Sequence, residues 1–136
     1  TGAWPVTAPM HAHRILVVDD SITTRELEKS ILENAGYEVE VAMDGREALV
    51  RLEHNPDRFD MAIIDIEMPQ MDGLELTQRV KAHRDERLRR LPVIIVSSLA
   101  SDAYKRRGVE VGAQAYITKG QFEQSRLLET IELLIH

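Results

Sequence analysis

Three aspartates carry the strongest chemical signal in this chain. Asp19 and Asp20 close the apolar run Ile15 to Val18, and Asp65 closes Met61 to Ile64. Ser97 follows Val93 to Val96, and Lys119 comes just after the short run Ala115 to Ile117. Each run reads as a buried strand, and parallel strands deliver their C-terminal residues to one edge of a sheet. Three acids, a hydroxyl and an ammonium would then meet in one crevice. Close carboxylates repel one another unless a cation neutralises them, and a hard divalent ion such as magnesium prefers carboxylate oxygens. A carboxylate held beside such an ion can attack phosphorus and form an acyl phosphate. Lys119 would supply a point charge, and Ser97 a hydroxyl donor, to the transferred oxygens.

Each of these residues also has a plainer reading. Asp is common in turns and as a helix cap, and for Asp19-Asp20 alone the cap is favoured. Ser21 weakens that reading, because it can satisfy the helix amides without either acid. A single acid at position 65 is more often structural than catalytic, but its coincidence with the upstream pair shifts the balance toward a cation site.

To bring these groups together, the chain must alternate strands and helices. Strands are predicted over 15–18, 38–42, 59–64, 93–96 and 113–118. A first helix puts Leu27, Ile31 and Leu32 on one face and ends at Gly36. A second, capped by Asp44, runs through Ala48, Leu49 and Leu52 and stops before Pro56. Asp72 and Gly73 open a third with Leu74, Leu76 and Val80 inward, and Ser101 or Asp102 caps a fourth that ends near Gly112. Phe122, Leu127, Leu128, Ile131, Leu134 and Ile135 form the stripe of a closing helix. Strict alternation implies parallel strands, right-handed crossovers and helices on both faces. The expected fold is therefore an α/β, doubly wound parallel sheet of five strands with five helices.

Composition narrows the function. At 136 residues the chain fits one domain, and its 43% hydrophobic and 29% charged residues are ordinary for a globular fold. No apolar stretch approaches the roughly 20 residues of a membrane helix, so no membrane insertion is expected. Cysteine is absent, which excludes disulfides and thiolate metal sites and suits a cytoplasmic location. A net charge of -6 argues against direct nucleic-acid binding. The basic cluster Lys81, Arg84, Arg87, Arg89 and Arg90 is interrupted by Asp85 and Glu86 and reads as a solvated surface. Residues 1–13, with Pro5, Pro9 and no initial Met, are read as a linker or cloning remnant, and Trp4 within them as an exposed residue or a small anchor. Residues 14–136 are the expected domain.

The motifs resemble those of the CheY-like receiver domains of two-component response regulators. Val17-Val-Asp-Asp-Ser21, Ile64-Asp-Ile-Glu-Met-Pro69 with Asp72-Gly73, Pro92-Val-Ile-Ile-Val-Ser97 and Ala115-Tyr-Ile-Thr-Lys119 fall in that family's order and spacing. The resemblance, not the strand pattern, implies the flavodoxin-like strand order 2-1-3-4-5. It implies that Asp65 is the phosphoacceptor, and that Asp20 and Asp65 bind magnesium or manganese directly. Asp19 would assist, often through water, and Glu67 would lend its backbone carbonyl. Lys119 would pair with the phosphoryl group, and Ser97 would swing to it and draw Tyr116 inward. Tyr116 read by itself is equally well plain strand packing. The implied partners are a histidine kinase or phosphotransfer domain, and an output partner on the face of the fourth helix, fifth strand and fifth helix. The domain would phosphorylate and dephosphorylate itself without being a stand-alone turnover enzyme.

Three departures from the family pattern stand out. Gly120 replaces the usual Pro after the lysine, so a cis bond there would cost about 3 kcal/mol. Ser97 replaces the commoner Thr and keeps the hydroxyl. Glu67 places a further acid where its side chain would modulate phosphoryl lifetime, or simply face solvent. Lys119-Gly-Gln-Phe-Glu-Gln124 followed by Leu127-Leu128 resembles the C-terminal receiver of chemotaxis-type hybrid histidine kinases. The competing class is a small magnesium-dependent phosphatase with an Asp nucleophile. Such enzymes place a second Asp two residues on, where this chain has only Glu67. A receiver-like domain that merely binds a partner would not need the acids and lysine together.

Overall fold

A computed structural model describes residues 13–119 and 124–135. Expectations about residues 1–12, the Lys119-Gly120 peptide and Phe122 fall outside these. The element order is β1 (Arg14–Val18), α1 (Ile22–Asn34), β2 (Glu38–Ala42), α2 (Gly45–His54), β3 (Met61–Ile64), α3 (Gly73–Lys81), α4 (Glu86–Arg89), β4 (Val93–Ser97), α5 (Asp102–Glu110), β5 (Ala115–Thr118) and α6 (Gln124–Leu134). The five strands are parallel in the order β2-β1-β3-β4-β5.

Alternation along the strands builds two cores. Leu16, Val18, Ala62, Ile64, Val93 and Ile95 face Ala48 and Leu52 of α2 and Leu74, Leu76 and Val80 of α3. Ile15, Val17, Met61, Ile63, Ile94, Val96 and Ile117 face Leu32 of α1 and Leu127 and Ile131 of α6. The central strands are thus apolar throughout because both of their faces are covered.

The expected caps are in place. Ser21, Asp44, Asp72 and Ser101 each accept a hydrogen bond from a backbone amide in the first turn of α1, α2, α3 and α5. Four expectations need correction. A sixth helix, α4, follows Asp85, whose side chain accepts from the Arg87 amide at 2.9 Å, and it buries Leu88. One turn is too short to show a helical period, so the helices expected as fourth and fifth are α5 and α6. The third strand starts at Met61, with Phe59 buried ahead of the ladder, and the fifth starts at Ala115. The Ala113 amide instead bonds the Gly108 carbonyl in the turn closing α5.

The fourth correction concerns the buried face of α1. Leu27 is 53% exposed, and the buried residues are Arg25, Glu28, Ile31 and Leu32. Stepping back by three and four from Ile31 and Leu32 lands on Glu28, and by three again on Arg25. Two ionisable side chains therefore occupy the inner face of α1 next to the acidic edge.

Candidate functional site

Backbone register sets the acidic edge. Val18 pairs with Ala42 on one side and Ile64 on the other, and the next amides continue the ladder, from Asp19 to the Ala42 carbonyl and from Asp65 to the Val18 carbonyl. Asp19 and Asp65 are thereby neighbours on adjacent strands where the strand order reverses, the crevice in which open α/β sheets bind their ligands. Asp19 and Asp65 are buried and Asp20 is exposed. Each offers one carboxylate oxygen within 4.8 Å of the others.

Neighbouring contacts fix the geometry. The Ser21 amide donates to Asp19 Oδ1 at 2.8 Å, and Arg25 Nη1 donates to the Asp19 carbonyl at 2.8 Å. Lys119 Nζ donates to Asp19 Oδ2 at 3.0 Å and lies 3.5 Å from Asp65 Oδ1. Gly73 lets the start of α3 approach the end of β3, because a Cβ there would stand 2.0 Å from the Asp65 carbonyl oxygen. Its amide donates to the Ile66 carbonyl at 2.9 Å.

Ser97 is fully buried, and its hydroxyl accepts from the Leu99 amide at 3.1 Å. Tyr116 is half-buried and donates its hydroxyl to the Leu99 carbonyl, so the two expected switch residues grip opposite ends of one peptide residue. The Tyr116 ring lies against α5, where a Cβ on Gly108 would come within 2.9 Å of it. Glu67 is exposed and accepts from the Ser98 hydroxyl at 2.9 Å, which bridges the loops after β3 and β4.

Electrostatics show the cost of gathering acids at one buried edge. Burial, then the Asp19 charge, push the Asp65 carboxyl up to about 6, against the pull of Lys119. Burial opposes charge on Lys119, but the Asp19 hydrogen bond and the Asp65, Asp19 and Glu28 charges outweigh it and hold the ammonium more firmly protonated than usual. Glu28 is pushed up to about 8 by burial and by Asp19. A divalent cation among the three aspartates would relieve this repulsion, and an all-oxygen donor set suits magnesium or manganese.

Of the expected site residues, Asp19, Asp20, Asp65 and Lys119 converge. Ser97 and Tyr116 share Leu99, and Glu67 stands at the rim. Arg25, Glu28, Ser98 and Gly73's packing role were not anticipated. The period of the α1 buried face carried a signal for the first two. Nothing local pointed to Ser98, because its partner is 31 residues away.

An open α/β sheet with an acidic pocket and a lysine at its switch point defines a class of phosphoryl- and cation-handling domains. Within that class, the response regulator receiver domain model matches residues 15–132, and the chain belongs to this family. It is 41% identical over 134 residues to the gliding motility regulatory protein of Myxococcus xanthus, covering 97% of this chain but 17% of that protein. It is 36% identical to response regulator MprA of Mycolicibacterium vanbaalenii, covering 90% of this chain and 50% of that one. The chain therefore spans half or less of these curated relatives. Among solved structures, chemotaxis protein CheY4 of Vibrio cholerae superposes with a TM-score of 0.81 at 35% identity, covering 92% of this chain and all of that one. The receiver domain of a signal transduction histidine kinase from Syntrophus aciditrophicus gives 0.81 at 38% identity, covering 90% and 89%. Family membership carries the switch reading rather than the phosphatase one. No described helix is long and apolar enough to cross a membrane.

Proposed function

We propose that this receiver takes a phosphoryl group from a phosphohistidine onto Asp65 and holds it as the on state of a switch. The observation that carries this reading is the position of Asp65 between two further aspartates and Lys119. An Asp65 carboxylate oxygen attacks phosphorus as the nitrogen–phosphorus bond of the donor breaks, and the electron pair leaves on the imidazole. Lys119 is 3.5 Å from Asp65 and needs only a small side-chain movement to reach a phosphoryl oxygen. Asp19, Asp20, Asp65 and the Glu67 carbonyl would hold magnesium or manganese, which supplies charge neutralisation for the transferred oxygens.

The readout runs through Leu99. When the Ser97 hydroxyl turns to donate to a phosphoryl oxygen, it releases the Leu99 amide, and Tyr116 loses the geometry of its bond to the same residue. A phosphoryl group that rewards the turned state shifts the population of the α5–β5–α6 face, where the output partner docks. The Glu67 side chain, bridged to Ser98 over the pocket mouth, tunes hydrolysis.

Identity to a segment of a much longer motility regulator and to a histidine-kinase receiver supports a further placement. Residues 14–136 form the receiver module of a cytoplasmic hybrid histidine kinase of chemotaxis type. The receiver itself is not a turnover enzyme.

Incubation with magnesium and acetyl phosphate, followed by intact-mass measurement, tests the core of this reading. One phosphoryl adduct is expected, and it disappears in Asp65→Asn. An adduct that persists in that variant, or steady turnover of a generic phosphate ester, refutes it.

A further inference from the structure

Lys119 borders two compartments. On one side is the acidic edge. On the other is a cavity of about 130 Å³ lined by Thr24, Leu27 and Glu28 of α1 together with Lys119 itself. Glu28 is 2% exposed, and it lines this cavity together with Lys119. A carboxyl taken out of water beside other acids is costly and is expected to have a reason. Its helix neighbour Arg25 donates from Nη1 to the Asp19 carbonyl, and Arg25 Nε is buried without a partner among the described residues. The charged groups acting on Glu28 across the site are Asp19, Lys119 and Asp65.

We propose that Glu28 is a positioning residue for Lys119: its carboxyl offers the ammonium a second seat across the cavity and so competes with the Asp19–Asp65 edge for it. This rests on the phosphoacceptor reading and assigns Glu28 a part in it. The lysine side chain is 25% exposed and flexible, and the cavity leaves it room to turn. With the ammonium on Glu28, the pocket lacks the charge that stabilises a transferred phosphoryl group. With the ammonium on Asp19 and within reach of Asp65, the pocket is competent. The α1 helix thus sets how often the receiver is ready to react.

The test is a double-mutant cycle on acetyl phosphate labelling in magnesium at about pH 9, far above the ordinary range of a carboxylic acid. Glu28→Gln keeps the size and removes the competing charge. It is expected to raise the labelling rate roughly three- to fivefold when Lys119 is present and to have no effect in a Lys119→Met background. An equal change in both backgrounds, or none in either, overturns the proposal. The ε-carbon NMR resonance of Lys119, assigned with Lys119→Met, reads the same competition without any phosphoryl group. It is expected to move in Glu28→Gln, and an unmoved resonance overturns the proposal. A wild type that fails to label would count against the phosphoacceptor reading alone, since the resonance still decides on Glu28.

Discussion

Lys119 hydrogen-bonds Asp19 at 3.0 Å and stands 3.5 Å from Asp65, so the ammonium rests on the neighbour of the reacting acid rather than on that acid. Asp19 is buried and cannot be answered by solvent. Lys119 therefore neutralises the edge while remaining within a short swing of any group added to Asp65.

Removing that ammonium separates the two roles. Lys119→Met is expected to reduce labelling of Asp65 by acetyl phosphate at least tenfold, because one charge-assisted contact to transferred oxygens is worth about that much or more. Circular dichroism should retain the native helix signal. A labelling rate within twofold of the wild type would show that the lysine takes no part in transfer.

Stability should fall as pH rises. Asp65 is raised from 3.8 to about 6 and Glu28 from 4.5 to about 8. Between those limits the folded state binds more protons than the unfolded one, so the stability these two groups contribute is fully present below about pH 4 and is lost progressively toward pH 8. Melting temperatures measured without divalent ions across this window should decline by several degrees. The decline should flatten in Asp65→Asn with Glu28→Gln. Added magnesium should raise the melting temperature most above about pH 6, where Asp65 is ionised. A wild-type curve flat from pH 5 to pH 8 would contradict both shifts.

Gly73→Ala should damage the site through the backbone. The added methyl meets the Asp65 carbonyl, and the start of α3 must move away. Destabilisation of about 2 kcal/mol or more is expected by urea unfolding, together with slower labelling. Unchanged stability would mean that α3 shifts freely without disturbing β3.

At the rim, Glu67→Ala and Ser98→Ala each remove the bridge between the loops after β3 and β4. Both groups are exposed, so stability should change by less than about 0.5 kcal/mol. The rate at which the Asp65 adduct is lost in magnesium buffer should change in the same direction for both variants. Identical decay in wild type and Glu67→Ala would remove the side chain from the mechanism.

Tyr116 and Leu27 show how far local pattern reaches. The run Ala115 to Ile117 marked a strand, but which way the Tyr116 hydroxyl points depended on Leu99, 17 residues earlier in the chain. Leu27 is apolar and fits a helical stripe, yet Glu28 is the buried neighbour. Hydrophobicity alone favours the reverse. The inner face of α1 is decided by what lies beneath it, and there it meets Lys119 and the acidic edge rather than apolar strand.

The sequence by itself determined the alternation of strand and helix, the helix starts at Asp44 and Asp72, and the arrival of Asp19, Asp20, Asp65, Ser97 and Lys119 at one sheet edge, and it narrowed the caps of α1 and α5 to candidates that included Ser21 and Ser101. These follow from periodicity and from the parallel direction of the strands, which are local or topological properties. Tertiary structure alone decided that Lys119 rests on Asp19, that Ser97 and Tyr116 share Leu99, that Ser98 meets Glu67, and that Glu28 lies buried beside the lysine. Each of these is a contact between elements far apart in sequence, and its geometry depends on sub-ångström placement of helices against the sheet that no local preference encodes.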